Sequence, residues 1–204
     1  MDPKETQTVD WQIQELTFEV DWLISKNRNI KVLNLPDPTI AEKVLLLRNI
    51  KLLEKLKQLD TVVQQASHLK TVLAECRQMK VLRAQINEQV AVSDFADVFE
   101  SDNIQDLQLV WNGPSVKEVL PVFKRWQQLR KLSLKVQTFQ SSCLPVKELY
   151  KFVMELKHLT HLELTNDFDF NDIEKFKDLV TAQRPHFIAR LTQQWTNFEK
   201  CQNC

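Results

Sequence analysis

The stretch LRKLSLKV at Leu129–Val136, preceded by PSVKEVLPVFKRWQQ at 114–128, decides the fold of this 204-residue chain. Upstream of Leu129, apolar residues stand at Val119, Val122, Phe123 and Trp126, the spacing of one helix face. Downstream, Leu132 and Leu134 alternate with Lys131, Ser133 and Lys135, the spacing of a strand. The same ruler anchored at Leu159 finds Leu149, Phe152, Val153 and Leu156, then Leu162 and Leu164. Anchored at Met79 it finds Leu69, Val72, Leu73 and Cys76, then Leu82 and Ala84. A helix running into a strand, written repeatedly, predicts stacked strand–helix units.

Taken in order, residues 1–12 read as a loosely attached arm, and IQELTFEV from Ile13 as the first strand. Ile30, Leu33 and Leu35 predict the second strand, and Pro38 opens a helix carrying Ile40, Val44 and Leu47. A third strand is placed at Leu53–Leu59, although KLLEKLKQL is also good helix sequence. A helix over about Val62–Gln78 leads to a fourth strand, MKVLRAQI, and a short helix begun by Ser93 and Asp94 leads to a fifth, IQDLQLVW. The sixth and seventh strands are LRKLSLKV and LTHLELTN, the latter after a helix starting near Pro145. Asn171 or Asp172 caps a further helix that ends before Pro185. Residues 188–204 are expected to form a helical cap and tail, because FIARLTQQW lacks a leucine in phase.

Units of one strand plus one helix, opening Leu-x-x-Leu-x-Leu over residues 13–187, resemble leucine-rich repeats of the helical type found in F-box/leucine-rich-repeat proteins. The Asn or Cys that follows the strand in that family is matched near Asp37, Asn112 and Asn166 but not at Gln137 or Glu88. NLPDPTIAEKVLLLRNI, at 34–50, has the opening Leu-Pro of an F-box and lacks its later Val-Cys-x-x-Trp-like segment, so it reads as a repeat. The resemblance implies an α/β solenoid, a horseshoe of about seven units with a parallel sheet on its concave face. It also implies a non-catalytic protein-interaction scaffold, such as a substrate-recognition or adaptor subunit of a ubiquitin-ligase-type complex. An all-helical repeat array or an irregular α/β fold is the alternative.

Composition narrows the function. Lys and Arg number 27 and Asp and Glu 27, so no global charge draws the chain to nucleic acid or an anionic membrane. The single glycine, Gly113, excludes phosphate loops and dinucleotide folds, which need several. No apolar run approaches the length of a membrane span, and MDPKETQTVD is unlike a signal peptide, so a cytoplasmic or nuclear protein with reduced thiols is expected.

In a sheet backed by helices, residues between the leucines line the open surface. The expected partner-binding residues are Lys55, Lys57, Arg83, Gln85, Asp106, Gln108, Trp111, Lys131, Ser133, Lys135, His161 and Glu163. The basic ones among them suggest a band that favours an acidic or mixed-charge protein partner. No cofactor, metal or small-molecule substrate is expected. The competing class is a thiol- or metal-dependent protein using Cys143 and His161, or the terminal pair Cys201 and Cys204. His158 and His161, three apart across a strand entry, point to opposite faces and make a poor metal pair.

Overall fold

The structure is a computed structural model that describes residues 8–10, 17–45, 52–96, 103–112, 116–137, 145–166 and 170–193. Its elements are β1 (Thr8–Asp10), α1 (Thr17–Lys26), β2 (Val32–Leu35), α2 (Pro38–Leu45), β3 (Gln58–Val63), α3 (Ala66–Glu75), β4 (Val81–Ile86) and α4 (Val92–Ala96). Then follow β5 (Asp106–Asn112), α5 (Val116–Val119) with a 3-10 helix (Leu120–Arg125), β6 (Lys131–Gln137), α6 (Val146–Glu155), β7 (His161–Asn166), α7 (Phe170–Gln183) and β8 (Ile188–Gln193). The eight strands form one parallel sheet in strict chain order, β1 to β8. The protein is therefore α/β, and strand follows helix as the ruler demands.

The passage into the strand is made the same way before β3, β4, β6 and β7. A tight turn closes on the anchor residue, whose amide donates to the carbonyl three residues back: Leu56 to Leu53 (3.0 Å), Met79 to Cys76 (3.0 Å), Leu129 to Trp126 (3.0 Å) and Leu159 to Leu156 (3.1 Å). All eight of these side chains are buried, so the turn is held by packing at both ends. The next carbonyl forks. That of Lys57 accepts the amides of Lys80 (2.8 Å) and Val81 (3.0 Å), that of Lys80 accepts Gln105 (2.8 Å) and Asp106 (3.0 Å), and that of Gln105 accepts Arg130 (2.8 Å) and Lys131 (2.9 Å). Each fork starts a strand in register with its predecessor.

Register decides which side chains are buried, because side chains alternate along a strand. Leu82, Leu107, Leu132 and Leu162 face each other across β4 to β7 and are all at most 1% exposed. Helices cover that face: α6 contributes Leu149, Phe152 and Val153 to the same core, and Phe123 meets Trp126 edge to face at 5.9 Å. Consecutive helices pack side by side, α1 on α2, α2 on α3 and α6 on α7. Beyond α7, the Arg184 guanidinium donates to the carbonyls of Leu156 (3.0 Å), Leu159 (3.2 Å) and Met154 (3.4 Å), satisfying orphan carbonyls where α6 ends. No helix of the described residues is long and apolar enough to cross a membrane.

Several expectations need correction. Residues 8–10 pair with β2, where a loose arm was expected. Thr17–Val20, expected within the first strand, belong to α1, while Ile13–Leu16 lie outside the described residues. The third strand is Gln58–Val63: Leu56 takes the anchor place expected of Leu53, and buried Thr61 fills an inward position. Residues 188–193 form β8 against β7 in place of a terminal helix, with Ala189 and Leu191 packed on the core. The sheet thus extends past both expected boundaries of the repeat domain, 13 and 187. Truncating Leu132 or Leu162 to Ala leaves a cavity between sheet and helices and is expected to cost about 2–5 kcal/mol each. Urea unfolding of the two variants measures it, and a loss under about 0.5 kcal/mol at both, the size of an ordinary surface change, contradicts this register.

Candidate functional site: the open face of the sheet

Among the described residues, helices cover one face of the sheet and leave the other accessible. Parallel sheets are ordinarily buried on both faces, so a wide uncovered face is a candidate for a partner. The register arranges its side chains in three rows that run across the strands. The first holds Val32, Gln58, Val81, Asp106, Lys131, His161 and Ile188. The second holds Asn34, Asp60, Arg83, Gln108, Ser133, Glu163 and Arg190. The third holds Val62, Gln85, Val110, Lys135, Thr165 and Thr192.

The middle row is polar throughout and partly self-satisfied. Arg83 Nη1 lies 3.3 Å from Asp60 Oδ2, and Gln58 Nε2 donates to Asp60 Oδ1 at 3.0 Å. Further along, Ser133 Oγ donates to Glu163 Oε2 at 3.3 Å. An exposed pair of this kind contributes about 0–1 kcal/mol, so these bonds orient side chains more than they hold the sheet. Valines lie on either side of this row: Val62, Val81 and Val110 are half-buried on the open face, giving it apolar ground beside the polar strip. A shallow depression of about 420 Å³ is lined by side chains drawn from β2 through β7, Asn34, Arg83, Val110, Lys135 and Thr165 among them. A second, about 220 Å³, lies around Lys131, His161 and Ile188, and Ile188 is 46% exposed there.

The structure brings together Arg83, Gln85, Asp106, Gln108, Lys131, Ser133, Lys135, His161 and Glu163 on this face, as the alternation predicts. It does not bring the others. Lys55 stands in the turn before β3, where Nζ donates to Asn29 Oδ1 at 2.7 Å, and Lys57 precedes the strand. Trp111 lies within β5 in phase with the inward Leu107 and Leu109 and is 0% exposed, so it belongs to the core and not to the open face. The expected basic band is also absent as a continuous row: Lys131, Arg83 and Lys135 fall on three different rows, and Asp60 neutralises Arg83. Sequence reasoning missed Asp60, Val62 and Arg190; the first two follow once Leu59 is taken as the inward leucine of β3, and Arg190 once β8 is a strand.

No family model matches the chain, and no curated protein matches it. For the competing chemistry, Cys143, Cys201 and Cys204 lie outside the described residues. His158 is exposed in a turn, while His161 is on β7 with Nδ1 2.9 Å from Thr160 Oγ1. Among the described residues, no group of three or more His, Cys, Asp or Glu is placed to hold a metal ion. Cys76 closes α3 in the core, and burial, followed by the Glu75 charge, pushes its thiol up from the ordinary 9.0 to about 11. Because the folded chain keeps this proton where the unfolded chain loses it, the stabilisation is whole below pH 9.0 and is lost as pH rises towards about 11. Chemical unfolding across that window should show stability falling more steeply in the native chain than in Cys76→Ala. Equal slopes in the two proteins would mean that the thiol is not held in the core.

Proposed function

We propose that the chain is a leucine-rich-repeat-type solenoid that acts as a non-catalytic interaction scaffold and binds a protein on the open face of its sheet. The observation that carries this reading is the uncovered parallel face, with three in-register rows of mixed polar and apolar side chains. A flat helix-covered sheet offers nothing comparable, whereas repeat solenoids present such extended surfaces. The amide pair after β3 and β4 adds support: Asn87 Nδ2 donates to Gln64 Oε1 at 2.7 Å, at the position where leucine-rich repeats carry a ladder-forming polar residue. Asn112 continues that position in register on β5, and Gln137 on β6 departs from the Asn or Cys of the family.

The face matches a protein partner in chemical make-up. Interfaces combine an apolar centre with oriented polar groups, and here Val62, Val81 and Val110 adjoin Arg83, Gln108, Ser133 and Glu163. The likeness to F-box repeat domains extends the proposal: the scaffold recognises a partner and a separate subunit supplies any catalysis, as a ubiquitin-ligase adaptor would. Placing a photo-crosslinking amino acid at Val110 on the open face, and separately at exposed Lys151 on α6, tests the surface in cell extract. The expected result is a discrete adduct from position 110 that excess unlabelled protein competes away, with none from position 151. Adducts from position 151 alone would move the contact to the helices and overturn the reading.

A further inference from the structure

Of the cations that the sequence places on the sheet face, Lys55 and Lys57 stand instead on the rim where helices end and strands begin, and other cations join them there. The residue after each anchor is Lys31, Lys57, Lys80, Gln105, Arg130 and Thr160 in successive units; the carbonyls of the first five carry the forked bonds, and that of Thr160 accepts the amide of Ile188. Their backbones are therefore stacked in register, at the interstrand spacing of about 4.8 Å. Lys31, Lys57 and Lys80 occupy three consecutive steps, and Lys57, Lys80 and Arg130 are exposed. Turn residues Lys55 and Arg77 add to the same edge. At the two turn positions and the one after each anchor, Glu54 is the single carboxylate among the described residues.

None of Lys31, Lys57, Lys80 and Arg130 makes an ion pair among the described residues, although the helix side uses its charges in pairs such as Lys124 with Glu155 at 2.9 Å and Lys117 with Glu148 at 3.8 Å. Like charges on adjacent strands repel, and the helix C-termini nearby offset this only in part. A column of cations without ion pairs among the described residues, in a chain with 27 basic and 27 acidic residues, is a local excess with no counterpart in the overall charge. We infer that this rim is a second interaction surface, which takes an acidic segment of another protein. From Lys31 on the second unit to Arg130 on the sixth, the column spans four strand steps, roughly 19 Å at the usual spacing. An acidic helical stripe places carboxylates about 5–6 Å apart, close to the spacing of the column, and Arg130 can hold a carboxylate through two parallel hydrogen bonds. Nucleic acid fits less well. The turn and post-anchor positions of the described rim present no exposed Phe, Tyr or Trp ring on which bases could stack, and the neutral chain lacks the general basicity of nucleic-acid-binding domains.

The proposal is independent of the open-face reading, since its residues stand outside the three rows. It is tested by fluorescence anisotropy with a labelled oligoglutamate peptide at low and high salt, comparing the native chain with Lys57→Glu/Lys80→Glu/Arg130→Glu. A control of equal charge change, Lys70→Glu/Lys147→Glu/Lys151→Glu, reverses exposed helix-face lysines instead. The expected outcome is binding by the native chain and the control within about two-fold of each other, at least ten-fold weaker binding by the rim variant, and loss of binding at high salt. Circular dichroism melting confirms that the variants fold; if the rim variant does not, the milder Lys57→Gln/Lys80→Gln pair should still weaken binding several-fold. No binding at low salt, or equal losses in rim variant and control, would overturn the proposal. Tighter capture of an oligothymidylate than of oligoglutamate would equally overturn it, in favour of nucleic acid.

Discussion

Everything else in this protein depends on the forked backbone carbonyl at the entrance to each strand. One oxygen, on Lys57, Lys80, Gln105 or Arg130, accepts two consecutive amides of the following unit. That contact starts the parallel ladder and sets its register. Since strand side chains alternate, a slip by one residue would turn Leu132 and Leu134 outward and Lys131, Ser133 and Lys135 into the core. The cost of burying those polar groups would exceed any single contact that could tolerate the slip. Strand register, the buried core and the composition of the open face are thus one constraint seen three times.

The same constraint explains how charge is distributed. Inward strand positions exclude charge, so charged residues are left with three places: the open face, the helix exteriors and the rim. On the open face they alternate in sign and meet, as Asp60 and Arg83 do at 3.3 Å. On the helices they pair between neighbours, as Lys124 and Glu155 do at 2.9 Å. At the rim, Lys31, Lys57, Lys80 and Arg130 share one sign, and the stacking that aligns the backbones also aligns their charges.

How far the sequence foretells this arrangement can be followed residue by residue. The units at β4 to β7 are legible because a buried anchor, an inward leucine and the alternation after it all agree, as at Leu129, Leu132 and Leu134. Legibility fails where leucines are too many or too few. In KLLEKLKQLD, leucines three apart satisfy two phases of the ruler, and the burial of Leu59, Thr61 and Val63 selects the second in the folded chain. That single shift removes Lys55 and Lys57 from the face and hides Asp60 and Val62 from the prediction. At β8 the inward residues are Ala189 and Leu191, too little apolar signal to outweigh the helical propensity of the segment, whereas pairing with β7 overrides it. Thr17–Val20 shows the reverse error, a short alternating run that forms a helix. Trp111 is expected on the partner surface although it stands in phase with Leu107 and Leu109, and β5, running on to Asn112, buries it with them. Which face a partner touches is not written in periodicity at all; it emerges only once register places residues far apart in sequence, such as Asn34 and Thr165, around one depression.

Nuclear Overhauser contacts across β5, β6 and β7 probe the register directly. In isotopically labelled protein, the backbone of Lys131 should show interstrand contacts both to Asp106 and to His161, as in a parallel sheet in chain order. Residues 131–137 should show strand-type sequential contacts between successive residues. Helical contacts through Leu129–Val136, with no interstrand contact from Lys131 to either neighbour, would contradict the sheet, its open face and the charged rim together.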